Sequence, residues 1–305
     1  MKKLTIVMAV LLLILTTGCS LEPPSWAKPQ TGGDLKNIKI GLSISTLNNP
    51  FFVSLKDGVV AEAKKHNIET IVVDAQNDSA KQSNDVDDLM QKGVNALLIN
   101  PTDSAAISTV VQSANNLGIP VITLDRSSDK GDVKALVASD NVKGGKMAAE
   151  YIEKLLGKGA KVIELEGVAG ASATRERGKG FHELADTDLK VIAKQTADFD
   201  RTKGLNVMEN LLQANPDVQA VFAHNDEMAL GAIEAIQSSG KSIPVIGFDG
   251  NEDALKSITA GKLTATVAQQ PELIGQMSVQ AALDVLQGKT VEKTIPAPLK
   301  LVTKE

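Results

Sequence analysis

From Ile38 onward, short apolar runs alternate with stretches whose apolar residues recur every three or four positions. The runs Ile38–Ile44, Glu69–Asp74, Ala96–Asn100, Pro120–Leu124 and Lys134–Ala138 read as strands. They show little in-out alternation, which fits burial on both faces of a parallel sheet. Between them, Ile107, Val110, Val111, Ala114 and Leu117 form one helical stripe, and Leu205, Met208, Leu211 and Leu212 form another later on. The rhythm restarts after Ser139-Asp140-Asn141, with strand-like runs at Lys161–Glu166, Val191–Gln195, Val218–Ala223, Pro244–Phe248 and Leu263–Ala268. The pattern predicts an α/β protein made of two similar doubly wound parallel-sheet lobes, each of about five strands.

Polar turns close most of these strands: Asn100-Pro101-Thr102-Asp103, Leu124-Asp125-Arg126, Ala223-His224-Asn225-Asp226 and Phe248-Asp249-Gly250. Ligands of open α/β sheets bind outside the carboxyl ends of the strands, where these turns lie. The turn Ser45-Thr46-Leu47-Asn48-Asn49-Pro50-Phe51-Phe52 sets two aromatic rings side by side before a helix starting near Val53. Aromatic residues are only 3% of the chain and phenylalanine occurs six times, so this placement is informative. The rings are either a hydrophobic plug at the helix start or a platform for a small ligand, with Asn49 bonding beside it.

The N-terminus reads as targeting rather than fold. Lys2-Lys3 precedes an apolar run from Leu4 to Leu15, of signal-peptide length and too short to span a bilayer. Leu15-Thr16-Thr17-Gly18-Cys19 resembles a bacterial lipobox, with Thr16 departing from the usual leucine. This predicts a lipoprotein signal peptide over residues 1–18 and a lipid-modified (palmitate-bearing) Cys19 at the mature N-terminus; the alternative is an ordinary secretion signal. Residues 19–37, with Pro23, Pro24, Pro29, Gly32 and Gly33, read as a lipid-anchored linker. The expected location is the extracytoplasmic face of the cell membrane. Cys19 is also the only cysteine, so the fold has no disulfide, cysteine metal cluster or cysteine nucleophile. A net charge of −5 gives no basic footprint for nucleic acid.

No complete enzyme motif appears. Ser239-Gly240-Lys241-Ser242 looks like the end of a phosphate loop, but Ala235 stands where its glycine belongs and the element order is wrong. His66 and His182 read as surface residues of helices, and His224, beside Asn225, as a candidate rim contact. Asp125 and Asp249 form a conceivable glycosidase pair whose separation the sequence does not give. No cofactor or metal is expected.

The strand-end residues together suit a neutral polyol. Ser45, Asn49, Phe51, Phe52, Asn100, Asp125, Arg126, Arg177, Phe199, Asn225, Asp249 and Gln269 combine carboxylate acceptors, guanidinium donors, amides and rings that cover sugar C–H faces. Asp125 beside Arg126 is the sharpest element, because buried opposite charges stay ionised only when well paired. The motifs Ser45 to Phe52, Leu98 to Asp103, Pro120 to Arg126, Ser139-Asp140-Asn141, Arg175-Glu176-Arg177-Gly178, Ala197-Asp198-Phe199-Asp200 and Asn225 to Ala229 resemble those of bacterial ribose-binding proteins, of the type I periplasmic sugar-binding family. The resemblance runs from about Ile38 to Val302. It implies a sugar-import protein with no catalytic residue. Phe51, Phe52 and Phe199 would sandwich a pyranose, here D-ribose. Asn49, Asn100, Asp125 and Arg126 would bind its hydroxyls from the first lobe, and Arg177, Asn225, Asp249 and Gln269 from the second lobe and hinge. Hinge crossings map to Ser139-Asp140, Gln269-Gln270 and Pro298-Leu299. The N-terminal lobe would then be 38–139 plus 270–298, and the C-terminal lobe 140–269 plus 299–305. His224 stands where a glutamine is expected. The implied partners are the membrane permease of an ABC importer and, as an option, a chemotaxis receptor, with the protein a monomer. Allose, galactose or a furanose signal are alternative ligands, and a secreted sugar-modifying enzyme is the competing class.

Overall fold

The computed structural model of the chain describes residues 37–304. The expected signal peptide, Cys19 and nearly all of the linker lie outside the described residues. The chain begins with β1 (Lys39–Ile44), α1 (Pro50–Lys65), β2 (Glu69–Asp74), α2 (Ser79–Gln91), β3 (Ala96–Ile99), α3 (Ser108–Asn116), β4 (Val121–Leu124) and β5 (Val133–Ser139). It continues with α4 (Asn141–Leu156), β6 (Lys161–Glu166), α5 (Ser172–Asp188), β7 (Lys190–Thr196), α6 (Arg201–Ala214), β8 (Ala220–Ala223), α7 (Asp226–Ser238), β9 (Val245–Asp249), α8 (Glu252–Thr259) and β10 (Ala265–Ala268). It closes with α9 (Pro271–Leu286), β11 (Thr294–Ala297) and β12 (Lys300–Thr303).

These strands form two six-stranded sheets, in the orders β11-β5-β4-β3-β1-β2 and β12-β10-β9-β8-β6-β7. Pairing is parallel throughout except for β10 with β12. β1 pairs with β2 on one side (Lys39↔Glu69 to Ile44↔Asp74) and with β3 on the other, making it the switch point of its sheet. β6 holds the same place between β7 and β8. The two sheets thus repeat one topology, as the restarting pattern predicts.

Each sheet is covered on both faces, which explains why its strands are apolar without alternation. In the first, Leu42, Leu55, Ile122 and Ile274 join one face to α1 and α9, and Leu89, Leu97 and Val111 join the other to α2 and α3. In the second, Ile163, Met208, Val221 and Ile233 pack beneath α6 and α7, and Ile152, Phe181, Phe222 and Val267 beneath α4 and α5. Burying one such side chain is worth ~1.5–3 kcal/mol. α4 and α5 approach until backbones touch: a Cβ on Gly145 would stand 2.0 Å from the Arg177 carbonyl oxygen. That contact sets the height of α5, which carries Arg177.

Polar side chains set the helix starts. Asp78, Asp140 and Asp200 accept backbone N–H groups of α2, α4 and α6, and Asn49 and Asn225 do the same for α1 and α7. α1 begins at Pro50, whose missing N–H is no loss at a first helical position. Phe51 and Phe52 therefore lie in the first turn of the helix, not in the loop before it as the sequence suggested. β11 and β12 were also missed. Both are short, half-exposed edge strands, and β11 contains Pro296, which only an edge tolerates. The chain passes between the sheets at Ser139-Asp140, at Gln269-Gln270 and at Pro298-Leu299.

Candidate functional site

The carboxyl ends of the two sheets face each other across a narrow cleft. The first sheet and its helices contribute Asn49, Phe51, Phe52, Asp125 and Arg126; the second contributes Arg177, Phe199, Asn225 and Asp249. The sequence-predicted Ser45, Asn100 and Gln269 stand behind this wall and do not line it. Ser45 donates through Oγ to Asn100 Oδ1 at 2.7 Å, and Asn100 Nδ2 donates to the Leu124 carbonyl at 3.1 Å. The pair thereby braces the turn that presents Asp125. Gln269 Nε2 donates to Asp249 Oδ1 at 2.9 Å, leaving its own Oε1 buried and unpartnered. Ala173 lines the cleft without having been anticipated; an alanine carries no chemical signal in a sequence.

Four charged groups are buried together. Asp125, Arg126 and Arg177 are 3% exposed and Asp249 4%. Arg126 Nε lies 3.5 Å from Asp125 Oδ2, and Arg177 Nη1 lies 3.8 Å from Asp249 Oδ1. These are ion-pair contacts too long for hydrogen bonds. The arginines are held by other atoms. Arg126 Nη1 donates to the Pro101 carbonyl at 3.0 Å, Arg177 Nε to Asn141 Oδ1 at 2.9 Å and Arg177 Nη1 to the His224 carbonyl at 2.5 Å. Asp125 Oδ1 and Arg126 Nε have no partner. Their hydrogen-bonding capacity in the cleft is unspent. Burial raises the Asp125 pKa against the pull of Arg126 and Arg177, and raises that of Asp249 well above the ordinary value against Arg177. Burial also brings Arg126 down to about 10.

The rings enclose this polar core. The Arg126 guanidinium sits 5.0 Å from the Phe52 ring and 5.3 Å from that of Phe199, on the opposite side of the cleft. Phe51 meets Phe52 edge-on at 5.2 Å and belongs to the apolar cluster under α1. The rings therefore plug the helix start and also line the cleft. Asn49 and Asn225 spend their side-chain oxygens on the caps of α1 and α7; Asn225 Nδ2 also donates to the Phe199 carbonyl at 3.2 Å, and the remaining amide N–H groups are donors. Asp125 (φ 63°), Phe199 (φ 61°) and Asp249 (φ 126°) hold left-handed backbone that side chains rarely adopt. Such strain concentrates at ligand clamps. The space between these groups is about 10 Å³, which admits roughly one water.

Hydrogen bonds also tie the rims of the cleft together. Ser104 N–H donates to the Gly170 carbonyl at 2.9 Å, Ser172 N–H to Ser104 Oγ at 3.2 Å, and Ser127 N–H to Ser172 Oγ at 2.9 Å. Arg175 Nη2 meets Asp129 Oδ1 at 2.9 Å. Sequence reasoning missed this set, since serines far apart in the chain carry no shared signal.

The reading of His224 needs correcting. His224 is no rim contact: it is fully buried, with Nε2 2.8 Å from Glu164 Oε1. His182 is only 27% exposed in its side chain and bonds Glu164 and Asp186. His66 stays at the surface beside Glu62.

Comparison with known proteins places this cleft. The periplasmic binding protein domain family matches residues 40–290. The ribose import binding protein of Bacillus subtilis (strain 168) is 68% identical over 305 residues, covering all of both chains. That of Salmonella typhimurium is 58% identical over 268 residues, covering 87% of this chain and 90% of its relative. The solved Caulobacter myo-inositol binding protein, with myo-inositol bound, superimposes with a TM-score of 0.83 at 32% identity, over 87% of this chain and 93% of that one. These are binding proteins, and so is this chain; it is not an enzyme. With two sheets of one topology facing each other across a polar cleft, the chain belongs to the type I periplasmic binding protein family.

Proposed function

We propose that this chain captures D-ribose between its two lobes and delivers it to the membrane permease of an ABC importer. The observation that carries this reading is the buried quartet Asp125, Arg126, Arg177 and Asp249, drawn from both sheets and flanked by Phe52 and Phe199. A carboxylate accepts from two hydroxyls and a guanidinium donates to several ring or hydroxyl oxygens, while phenyl faces cover C–H groups. The relatives named as ribose import binding proteins supply the identity of the sugar.

Binding is opening followed by closure, with no chemistry. A cavity of about 10 Å³ cannot admit a pentose, so the lobes part before the sugar enters. The three crossings at Ser139-Asp140, Gln269-Gln270 and Pro298-Leu299 act as the hinge. They divide the chain into an N-terminal lobe of 38–139 plus 270–298 and a C-terminal lobe of 140–269 plus 299–305. Closure brings the rims together into a surface that the permease reads. Charged hydrogen bonds contribute ~1.5–3 kcal/mol each and neutral ones ~0.5–1.5. After ordering and closure costs, a net of roughly −8 to −10 kcal/mol corresponds to micromolar or tighter binding.

The basic start, the apolar run and the lipobox-like Leu15-Thr16-Thr17-Gly18-Cys19 support anchoring of the chain by Cys19 at the extracytoplasmic face of the membrane. Titration calorimetry with D-ribose, D-allose, D-galactose and myo-inositol tests the reading. Micromolar or tighter ribose binding, with the others weaker, is expected; silence with ribose refutes it.

A further inference from the structure

Glu164 on β6 is fully buried, and none of the cleft contacts uses it. Carboxylates are almost never fully buried without partners. Its partners form a row. Oε1 lies 2.8 Å from His224 Nε2, Oε2 lies 2.9 Å from His182 Nε2, and His182 Nδ1 lies 2.6 Å from Asp186 Oδ1. The outer end reaches solvent, because His182 borders a surface pocket of about 330 Å³. The inner end is His224, whose carbonyl accepts Arg177 Nη1 at 2.5 Å and whose neighbour Asn225 lines the cleft. His224 Nδ1 has no partner, so Glu164 is the ring's single hydrogen-bond anchor among the described residues.

We propose that Glu164 is a positioning residue for the sugar site: through His224 it fixes the carbonyl that holds Arg177, and the charge on His182 at the surface tunes that hold. The proposal rests on the sugar-binding reading above. The physical ground is charge balance. Burial alone would raise the Glu164 pKa, but His224 and His182 outweigh it and keep the carboxyl ionised below its ordinary value. Burial opposes charge on His182, yet Asp186 and Glu164 raise its pKa above the ordinary value. The other charged groups around the row are Glu166 on β6, Lys194 on β7, and Arg175 and Lys179 on α5, all lining the outer pocket. Arg177 is the cation on the inner side, with Asp249 beyond it. When His182 is charged, it balances the buried Glu164, while Asp186 remains an extra negative charge at the outer end. When pH rises through the raised His182 pKa, the buried carboxylate loses that balance, and Arg177 is drawn toward it and away from Asp249 and the cleft.

Ribose affinity, measured by calorimetry at about pH 6 and about pH 9, spans the range in which a histidine titrates. Relative to His182→Gln and Glu164→Gln, in which only the cleft carboxylates set the pH dependence, the wild-type protein should lose several-fold more affinity at the higher pH. Glu164→Ala, folded by circular dichroism at the assay temperature, should bind about tenfold more weakly at either pH, the scale of coupling through a packed network. A folded Glu164→Ala with wild-type affinity would show a purely structural role and overturn the proposal. Should that variant not fold, a wild-type pH response retained in Glu164→Gln overturns it instead. A second measurement needs no sugar: the Arg177 side-chain N–H resonance of the ribose-free protein should move in Glu164→Gln, and an unmoved signal counts against the proposal. A wild-type protein that binds no ribose would refute the sugar reading, and the Arg177 resonance would still decide this one.

Discussion

Asp125→Asn separates the charge of the cleft from its shape. Asparagine has the size of aspartate and tolerates the left-handed backbone at this position, φ 63°, so the turn survives the change. What changes is the acceptor set. Asp125 Oδ1 is buried and unpartnered, and Oδ2 faces Arg126 Nε at 3.5 Å. On the proposed reading, each oxygen accepts a hydroxyl when ribose is bound. Asparagine keeps one neutral acceptor and turns the other into a donor aimed at a donor. One charged hydrogen bond worth ~1.5–3 kcal/mol is lost, the second is weakened, and Arg126 is left buried without its counter-charge. The sum is roughly 3 kcal/mol or more, a loss of at least about 100-fold in affinity. In the sugar-free protein two charge effects oppose each other: the amide escapes the cost of a buried carboxylate, whose pKa burial raises, but leaves Arg126 without its counter-charge. Calorimetry should show ribose affinity collapsing while circular dichroism shows the sugar-free protein still folded. An affinity within about threefold of wild type would refute the assignment of Asp125 as a sugar acceptor, because no buried carboxylate contact is that weak.

Gly170→Ala should hinder closure without touching the sugar: its Cβ would stand 1.9 Å from Asp103 Oδ2, a carboxylate pinned by the N–H groups of Ala105 and Ala106. Small-angle scattering should show the ribose-saturated variant more open than wild type, and equal radii of gyration would refute the wedge. Affinity for ribose should also fall as pH drops from neutral toward the ordinary carboxylate range. Asp125 and Asp249 have raised pKa values, so their acceptors are present at high pH and are lost on the acid side earlier than ordinary carboxylates would be. An affinity unchanged down to about pH 4 would contradict this. Cys19→Ala should move the protein from the membrane pellet to the soluble fraction after cell breakage, and continued co-sedimentation would refute the lipid anchor.

Much of the site was legible because its chemistry is local to strand ends. Asp125-Arg126, Asn225 and Asp249 follow apolar runs whose termination the pattern marks, and the switch-point rule assigns those ends to a ligand. Phe51 and Phe52 were conspicuous in a chain poor in aromatics. The roles of Ser45, Asn100 and Gln269 were harder to read. Each sits at the expected place, yet each side chain is turned to brace a neighbour rather than to line the cleft. The Arg177 cradle of Asn141 and the His224 carbonyl joins residues 36 and 47 positions apart, a distance over which no periodicity speaks.

By itself, the amino-acid sequence determined the elements and their class. Apolar runs without alternation require two covered faces, and a pattern that restarts midway requires two such sheets. It also placed polar and aromatic side chains at the carboxyl ends. The tertiary structure decided how the charges are shared. It turned the oxygens of Asn49 and Asn225 into helix caps, set Arg126 between rings from opposite sheets, and buried His224 against Glu164 instead of leaving it at the rim. The reason is that hydrogen-bond partners and burial are set by distances in space. Residues 60 positions apart, such as Glu164 and His224, meet only when two strands of one sheet lie side by side.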